Sequence, residues 1–506
     1  MGKEQKRGGQ VLGAFSAVAF LLLLTLLCSS VLDVNPLESW KDQLSYLRDG
    51  VSSKNGGNDI EEVYVEPLNF LLERLVRGDF FNFNFNFFII QSSYNSITRI
   101  QLVFALDMHT GDDRIQLNTT GFSCQSEVCV TSKPVRIDNN ALTVYIPTSE
   151  SRIDKVIKPY VDKLARLQVS SVRIVAGDSD HSPPCHFTHD VPVVVFSSGG
   201  FAGNIFHEMD EIIIPLFITS RHFRSRVKFV ITDYKAWWVS KYSRILENLS
   251  GFEVINPEAN GDVHCFPGGV VGLKFHGLLA LNSTDIPGGY SMYDFKHFLR
   301  ESYNLRFNNI SEMEREKKPR LMLISRQNSR VFLNEEEMVV MMEELGFDVV
   351  RPRPNRMSNL GKFTEEVNSC SVMVGAHGAG LTNEMFLPAG AVVVQLVPLG
   401  LEWASTYYFG VPAIEMGVNY LEYKIEPEES SLVETYGRNH PIVTDPGSMY
   451  AKGMKGYFAF RAVYIDGQNL KVNIGRFRET LVQAMELIGR SNPPLADPPL
   501  ASPPLA

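Results

Sequence analysis

The residues best suited to bind a ligand form a glycine-rich run, Gly-Ala-His-Gly-Ala-Gly-Leu-Thr-Asn, at positions 375–383. The run follows a predicted strand and opens a predicted helix, so it lies at the carboxyl end of the strand. Glycines let the backbone approach a ligand closely, and the free N–H groups of a helix N-terminus attract phosphate. His377 adds a hydrogen bond or a positive charge. The same run is equally typical of a tight turn with a buried histidine, and it lacks the lysine of a Walker A loop.

Two arginines favour the ligand-binding interpretation. Arg326 directly follows a predicted strand, residues 320–325, and Arg330 is four positions further on. Open α/β sheets bind ligands at the carboxyl ends of their strands, and arginine makes forked contacts with a diphosphate. A surface salt bridge is the alternative, above all for Arg330. Together the two elements predict a site for an anion such as a nucleoside diphosphate. Its candidate residues are Arg326, Arg330, His377, Gly378, Ala379, Gly380, Leu381, Thr382 and Asn383.

A second glycine-rich turn, residues 199–204, precedes a predicted helix that carries His207 and Asp210. Their spacing of three places both side chains on one face at the start of the helix. Such groups suit general-base catalysis, in which a hydroxyl nucleophile loses its proton. Asp210 is the first candidate for the base, with His207 as its partner or substitute. The alternative is that acidic residues here only stabilise the helix dipole.

No metal site is predicted. His207-Glu208 is not a zinc-protease motif because position 211 is Glu, and the Asp-Ser-Asp at 178–180 is interpreted as a solvated loop. The cysteine spacings lack a second Cys-x-x-Cys or a histidine pair, which argues against structural zinc.

The elements that would position these residues alternate between strand and helix. Such alternation favours parallel sheets covered by helices on both faces. Two units of this kind predict an α/β protein with two Rossmann-type lobes and a cleft between them. Residues 116–310 would form the N-terminal lobe and residues 316–490 the C-terminal lobe. The predicted strands are 171–175, 191–197, 226–232, 320–325, 347–351, 371–375 and 391–397, and the main predicted helices are 206–218, 237–249, 293–305, 335–345 and one beginning at 381.

The N-terminus predicts a membrane anchor. Lys3, Lys6 and Arg7 precede an uncharged, mostly apolar run at 11–32, which is long enough to cross a bilayer. Basic residues on its N-terminal flank favour a cytoplasmic tail at 1–10 and a luminal remainder. A cleaved signal peptide is the alternative, although its apolar region is usually shorter. Either interpretation places the bulk of the chain in the secretory pathway.

Cysteines and sequons agree with a luminal location. Asn-x-Ser/Thr sequons occur at Asn118, Asn248, Asn282 and Asn309. An oxidising lumen permits disulfides: Cys124 and Cys129 are close enough in sequence to close a small loop, Cys185 with Cys265 is a plausible second pair, and Cys370 would then be free. Sequence alone does not decide this connectivity.

The remaining segments carry no core of their own. Residues 33–115 are predicted to be a stem, and within it 79–111 are an anomalous Phe/Asn-rich insert that suggests a retained intron. Residues 491–506 repeat Pro-Pro-Leu-Ala and predict an extended, disordered tail. The formal net charge of −9 argues against a nucleic-acid partner.

The motifs resemble glycosyltransferase family 61, in its plant branch, over residues 121–484. The resemblance rests on Val-Phe-Ser-Ser-Gly-Gly at 195–200, Asn-Ile-Phe-His at 204–207, Ile-Ser-Arg at 324–326 with Ser-Arg at 329–330, and the run at 374–383. It implies a two-lobed GT-B fold, inversion at the anomeric carbon and no essential metal or cofactor. It also implies that the arginines and the His-Gly-Ala-Gly element hold the nucleotide.

Plant proteins resembling this chain transfer arabinofuranose or xylose to xylan, or xylose to N-glycan cores. We therefore expect a single-pass type II Golgi membrane enzyme that adds a pentose from a UDP-sugar to xylan, alone or in a complex with other glycosyltransferases. The alternatives are an N-glycan core β-1,2-xylosyltransferase and a non-catalytic protein of the same fold that binds a glycan or a partner. A luminal glycosidase is a further alternative, and nucleotide binding would exclude it.

Overall fold

The computed structural model describes residues 122–125, 128–147, 153–160, 165–177, 182–281, 283, 289–314, 317–352, 359–450 and 458–489. All of them fall within one compact unit of the chain. The predicted anchor, stem, insert and tail lie outside these residues, as do the sequons at Asn118 and Asn282. Among the described residues, no helix combines the length and hydropathy needed to cross a membrane.

The described elements alternate broadly as predicted. The strands are β1 Phe122–Gln125, β2 Val128–Thr131, β3 Val135–Asp138, β4 Thr143–Pro147, β5 Ile153–Ile157, β6 Val172–Gly177, β7 Phe187–Thr188, β8 Val193–Ser197, β9 Lys228–Thr232, β10 Val263–Phe266, β11 Gly269–Val271, β12 Arg320–Ile324, β13 Asp348–Val350, β14 Val372–Ala376, β15 Val392–Val397 and β16 Asn419–Lys424. The α-helices are α1 Ile205–Glu208, α2 Ile214–Ser220, α3 Ala236–Lys241, α4 Ser243–Leu249, α5 Met292–Tyr303, α6 Glu335–Glu344, α7 Leu360–Asn368, α8 Glu402–Ser405, α9 Val411–Glu415, α10 Ser431–Tyr436, α11 Pro441–Thr444, α12 Gly447–Tyr450 and α13 Ile474–Leu487.

Shorter helical segments complete the set. The 3₁₀-helices are Ala165–Gln168, Arg221–Phe223, Ile310–Glu312, Ala379–Phe386 and Pro427–Glu429, and π-helical segments span Met209–Ile213, Thr406–Gly410 and Arg461–Ile465. The helix predicted to begin at 381 is therefore a 3₁₀-helix beginning at Ala379. The helix predicted at 206–218 exists, but one π-helical turn joins α1 to α2. A single π-helical turn within an α-helix often marks a functional site.

The C-terminal region, residues 317–489, contains the parallel sheet that the sequence predicts. Its strand order is β13-β12-β14-β15-β16, and every neighbouring pair is parallel. Counted along this region alone, the order is 2-1-3-4-5, a doubly wound arrangement whose direction of winding reverses between the first and third strands. The point of reversal is the gap between β12 and β14, and ligands of such sheets bind there.

Strand alternation gives this sheet two apolar faces. Leu321, Leu323 and Val374 pack into a core with α6 and α13 residues on one side. Met322 and Met373 on the other side join a larger core that includes Phe295 of α5. Helix α5, which precedes the C-terminal region in sequence, packs against helical segments of that region, and its Lys296 Nζ donates a hydrogen bond to the Met416 oxygen at 2.9 Å.

The N-terminal region, residues 122–314, differs from the predicted single parallel sheet. It holds two mixed sheets, ordered β1-β2-β11-β8-β9 and β5-β6-β4-β3-β10-β7. Only part of each is parallel: β8 pairs in parallel with β9 and β11, whereas β2 pairs with β11 antiparallel. The predicted elements at 171–175, 191–197 and 226–232 are present as β6, β8 and β9. The short strand expected directly after Gly268 is present as β11. The strands β1 to β5, β7 and β10 were not predicted, although β2 and β3 alternate between more and less buried residues.

The cysteine pairing is confirmed. Disulfides join Cys124 to Cys129 and Cys185 to Cys265, and Cys370 is free and buried. The first disulfide links the paired strands β1 and β2.

Candidate functional site

The predicted anion site lies at the reversal point of the C-terminal sheet. Arg326 follows the end of β12, and the glycine-rich run follows the end of β14, so both emerge from neighbouring strands at the same edge. The sequence separation between the two elements is about fifty residues, yet the sheet places them side by side.

Both guanidinium groups converge on Gly378. A Cβ atom placed on Gly378 would lie 2.6 Å from Arg326 Nη1 and 3.1 Å from Arg330 Nη1. Arg330 Nη1 donates a hydrogen bond to the main-chain oxygen of His377 at 2.8 Å, and Arg326 Nε donates to the Ser329 oxygen at 2.9 Å. The turn between the two arginines is strained, because Arg330 has a φ of +54°. Strain of this kind is typical of positions that must present a functional group.

The electrostatics of this pair favour an anionic ligand. Burial, reinforced by the charge of Arg326, lowers the pKa of Arg330 to about 9. Burial also lowers the pKa of Arg326. Asp466 acts in the opposite direction on both arginines, but it is exposed and pairs with Arg461 at 3.1 Å. Two half-desolvated cations beside one glycine would gain most from a ligand that carries two negative charges.

His377 contributes a neutral ring. Burial, reinforced by the Arg330 charge, lowers the pKa of His377 to about 3. Its main-chain N–H donates to the Leu396 oxygen at 2.9 Å, which fixes the turn to β15. Within the described part of the chain, buried side-chain atoms around the turn that have no hydrogen-bond partner include Ser325 Oγ, Arg330 Nε, Thr382 Oγ1 and Asn383 Oδ1. Buried polar groups are normally satisfied, so a ligand with complementary groups would remove this cost.

A substitution at Gly378 tests whether the two arginine side chains must approach the backbone closely at this position. We expect Gly378→Ala to weaken UDP binding by about tenfold or more, because the new methyl group would push Arg326 away and φ of +144° disfavours a side chain. Titration calorimetry with UDP measures this effect. Gly437→Ala is the matched control, since Gly437 also has a positive φ but no atom within 4 Å of its added Cβ. Equal UDP affinity in both variants would contradict the proposed packing.

A histidine–carboxylate pair occupies the start of the helix after β8. His207 Nδ1 lies 2.5 Å from Glu211 Oε1, four residues further along the helix. The His207 side chain is 30% exposed, whereas that of Glu211 is only 5% exposed. The His207 ring also packs against Phe201 at a centroid distance of 4.5 Å. The carboxylate therefore binds one ring nitrogen and directs the other towards the accessible side.

Asp210 and Glu208 occupy different surroundings. Asp210 is buried and accepts a hydrogen bond from the main-chain N–H of Leu279 at 2.6 Å. Glu208 is fully buried and accepts from Lys241 Nζ at 2.5 Å, Tyr242 Oη at 2.6 Å and the Gly203 amide. Glu208 thus ties the glycine turn to α3. Asp210 as the base stays a prediction, but the geometry favours His207, the more accessible of the two.

Aromatic rings connect the histidine–carboxylate pair to the anion site. Phe206 packs against His207 at 5.5 Å and against Tyr408 at 5.2 Å between ring centroids. Tyr408 and Phe409 in turn contact the His377 ring at 6.0 and 5.4 Å. The fold therefore brings the two predicted half-sites, separated by 170 residues in sequence, to either side of one aromatic cluster.

Sequence reasoning missed several of these residues. Glu211 was considered only as an argument against a zinc motif, although its spacing of four from His207 signals a helical pair. Tyr408 and Phe409 belong to a helix with no recognisable motif, and nothing in the sequence indicated their position. Ser325 was seen only as the end of a strand.

Two predicted glycosylation sites fall within the described residues. Asn248 lies in α4 and its Nδ2 donates to Ser302 Oγ at 2.9 Å. Asn309 caps the short 3₁₀-helix Ile310–Glu312 by accepting from the Ser311 amide. Both are partly exposed, and glycosylation at either stays a prediction.

Buried histidines predict acid sensitivity. Burial lowers the pKa of His222 to about 4 and those of His276 and His377 to about 3, against about 6.5 in an unfolded chain. Above pH 6.5 these histidines are neutral in both the folded and the unfolded chain, and the protein keeps its full free energy of unfolding. As the pH falls towards the lowered pKa values, this free energy decreases because the unfolded chain binds more protons than the folded chain. The expected loss by pH 5 is about 2 kcal/mol of unfolding free energy for each histidine.

Thermal unfolding at pH 7 and pH 5 measures this sensitivity. We expect a lower Tm at pH 5, and a smaller difference between the two values in His222→Leu. A variant that kept the full wild-type difference would show that His222 titrates normally in the folded protein.

Comparisons with known proteins identify the family of this chain. The family model described as Glycosyltransferase 61 matches residues 185–394, which include both half-sites. The alpha-1,3-arabinosyltransferase XAT3 of Oryza sativa subsp. japonica is 40% identical over 369 residues, covering 72% of this chain and 64% of that protein. Xylan glycosyltransferase MUCI21 of Arabidopsis thaliana is 33% identical over 397 residues, covering 74% and 79%. The beta-1,2-xylosyltransferase XYXT1 of Oryza sativa subsp. japonica is 38% identical over 341 residues, covering 66% and 72%.

The chain therefore belongs to glycosyltransferase family 61, and the predicted family is confirmed. It spans 64% of the length of each of two Oryza alpha-1,3-arabinosyltransferases.

Proposed function

We propose that this protein is an inverting glycosyltransferase that transfers a pentose, arabinofuranose or xylose, from a UDP-sugar to xylan. The observation that carries the proposal is the pair of arginines, buried Arg330 and partly buried Arg326, over Gly378 at the reversal point of a parallel sheet. The relatives are named as an arabinosyltransferase, a xylan glycosyltransferase and a xylosyltransferase, and these names support the choice of sugar and acceptor. The C-terminal region would be the nucleotide lobe of a GT-B fold.

The arginines would act on the leaving group. With the diphosphate of the donor beside Gly378, Arg326 and Arg330 would neutralise the charge that grows on the β-phosphate as the bond to the anomeric carbon breaks. Electrostatic stabilisation of this kind is the largest catalytic contribution in many enzymes. The unsatisfied Thr382 and Asn383 oxygens would accept hydrogen bonds from the donor. We propose that these residues replace a metal ion.

His207 would act on the nucleophile. An acceptor hydroxyl attacks the anomeric carbon from the face opposite UDP, and its proton passes to the outer ring nitrogen of His207. Glu211 holds the other nitrogen and stabilises the imidazolium that forms. The new glycosidic bond forms as the bond to UDP breaks, so the configuration inverts.

The function is tested with the full-length protein. We would supply UDP-xylose or UDP-arabinofuranose with xylohexaose, or with an N-glycan core, and identify products by mass spectrometry. Pentose addition to xylohexaose from one donor supports the proposal and names the sugar. Addition only to the N-glycan core would replace xylan as the acceptor. A protein that binds UDP but modifies neither acceptor would exclude catalysis on these glycans.

We further propose that the chain is a single-pass type II Golgi membrane protein, anchored by residues 11–32. The basic N-terminal flank and the disulfides support this topology. Protease protection of a C-terminal tag in sealed Golgi vesicles tests it, and a tag digested without detergent would contradict it.

A further inference from the structure

One helical segment beside the site exposes a row of large apolar side chains. Helix α8, the π-helical segment and α9 run without a break from Glu402 to Glu415. Trp403, Tyr407, Val411 and Ile414 are 49%, 42%, 40% and 65% exposed. We call these four residues the aromatic stripe. Contiguous exposed apolar groups of this size on a soluble domain usually mark a binding surface.

The stripe is continuous with the catalytic site through ring contacts. Trp403 packs edge-on against Tyr408 at 6.2 Å, and Tyr408 lies 5.2 Å from Phe206. Phe206 in turn contacts the His207 ring. The inner side of the helical segment thus forms a wall of the site, while its outer side carries the stripe. A molecule bound along the stripe would reach the site at its Trp403–Tyr408 end.

The charge of the segment at 402–415 limits the classes of molecule that could bind along the stripe. The only ionisable acids and bases of Asp, Glu, Lys, Arg or His type between positions 402 and 415 are Glu402 and Glu415. A segment with two acids and no base repels anionic lipid surfaces and polyanions. Apolar rings suit a neutral ligand with flat C–H faces and a polar rim, which is the chemistry of a chain of unsubstituted pyranoses.

We propose that the aromatic stripe binds the xylan acceptor, with Trp403 and Tyr407 stacking on xylose rings next to the acceptor residue. This inference rests on the proposed function. The stripe spans twelve residues of helix, from Trp403 to Ile414, or about 16 Å, so it would contact several sugar units. A long acceptor would therefore benefit from the stripe, whereas a disaccharide held at the reaction centre would not.

The test compares acceptor binding in full-length variants. We expect Trp403→Ala/Tyr407→Ala to weaken xylohexaose binding by about tenfold, while xylobiose and UDP affinities stay at wild-type values. Trp403→Phe keeps a flat ring and should recover most of the loss. Trp237→Ala is the matched control, because Trp237 is also 49% exposed but belongs to a different helix, α3. Titration calorimetry measures each affinity, and KM for both acceptors gives a second readout.

The outcomes separate this inference from the proposed function. Selective loss of xylohexaose affinity in the double variant supports the stripe. Unchanged xylohexaose affinity there, or an equal loss in Trp237→Ala, overturns the stripe even if the wild-type protein transfers pentose to xylan. A wild-type protein that neither binds nor modifies xylohexaose overturns both proposals.

Discussion

Replacing His207 with alanine is expected to slow transfer by about two to four orders of magnitude, the usual contribution of a general base. The ring of His207 would take the proton from the acceptor hydroxyl. Glu211 holds this ring in place through its Nδ1 atom. UDP affinity should not change, because His207 belongs to the other half-site. Single-turnover transfer and calorimetry with UDP measure the two quantities separately.

The chain offers a closely matched control for His207. His297 and Glu301 form another histidine–glutamate pair with the same spacing of four, on the exposed face of α5. His297→Ala should therefore retain the wild-type rate. Asp210→Asn distinguishes the earlier candidate: if it abolishes transfer in a stably folded protein while His207→Ala does not, Asp210 is the base. If both substitutions slow transfer, Asp210→Asn should also lower the stability of the fold, because Asp210 accepts a hydrogen bond from the buried Leu279 N–H.

Glu211→Gln refines the same prediction. Glutamine keeps the size of the side chain and a hydrogen-bond acceptor, but it cannot stabilise an imidazolium by charge. We expect a smaller loss of rate than in His207→Ala, about tenfold to a hundredfold, with UDP binding intact. A rate equal to that of the wild type would limit Glu211 to a structural role.

Replacing Arg326 with alanine is expected to weaken UDP binding by about tenfold to a hundredfold. The estimate follows from hydrogen bonds to charged groups, which contribute about 1.5–3 kcal/mol each. Arg326 is the better choice for this test because Arg330 also donates to the His377 main chain, so its loss would disturb the turn. Calorimetry with UDP gives the affinity.

The same variant tests whether the ligand-free site is electrostatically strained. Burial and mutual repulsion disfavour the two charges, so Arg326→Ala should leave the Tm unchanged or raise it. Arg320→Ala is the control at the opposite end of β12, where Arg320 pairs with exposed Asp348 at 3.3 Å. It should retain UDP binding, with a small effect on stability. A destabilised Arg326→Ala that still bound UDP normally would identify Arg326 as structural.

The two glycine-rich turns and the charged residues beside them could be predicted from local sequence. Glycine runs between a strand and a helix have a local cause, since close approach and unusual φ values require glycine. Gly378 shows this directly, with its positive φ and the two guanidinium groups above it. The parallel C-terminal sheet was also predictable, because buried parallel strands are short, continuous apolar runs such as β14 and β15. The disulfide pairing, by contrast, was left open by the sequence and is given by the structure.

The relative placement of these parts depends on long-range packing, which local sequence does not encode. Winding of the sheet around β12 and β14 places Arg326 beside Gly378, a contact across about fifty residues that no local pattern encodes. The mixed sheets of the N-terminal region depend on pairing between strands distant in sequence, such as β11 with β2 and β8, and strands of three or four residues are too short to specify their partners. The choice between His207 and Asp210 depended on burial. Both lie in the same helical turn, but the fold buries Asp210 against the Leu279 amide and leaves His207 accessible, oriented by Glu211.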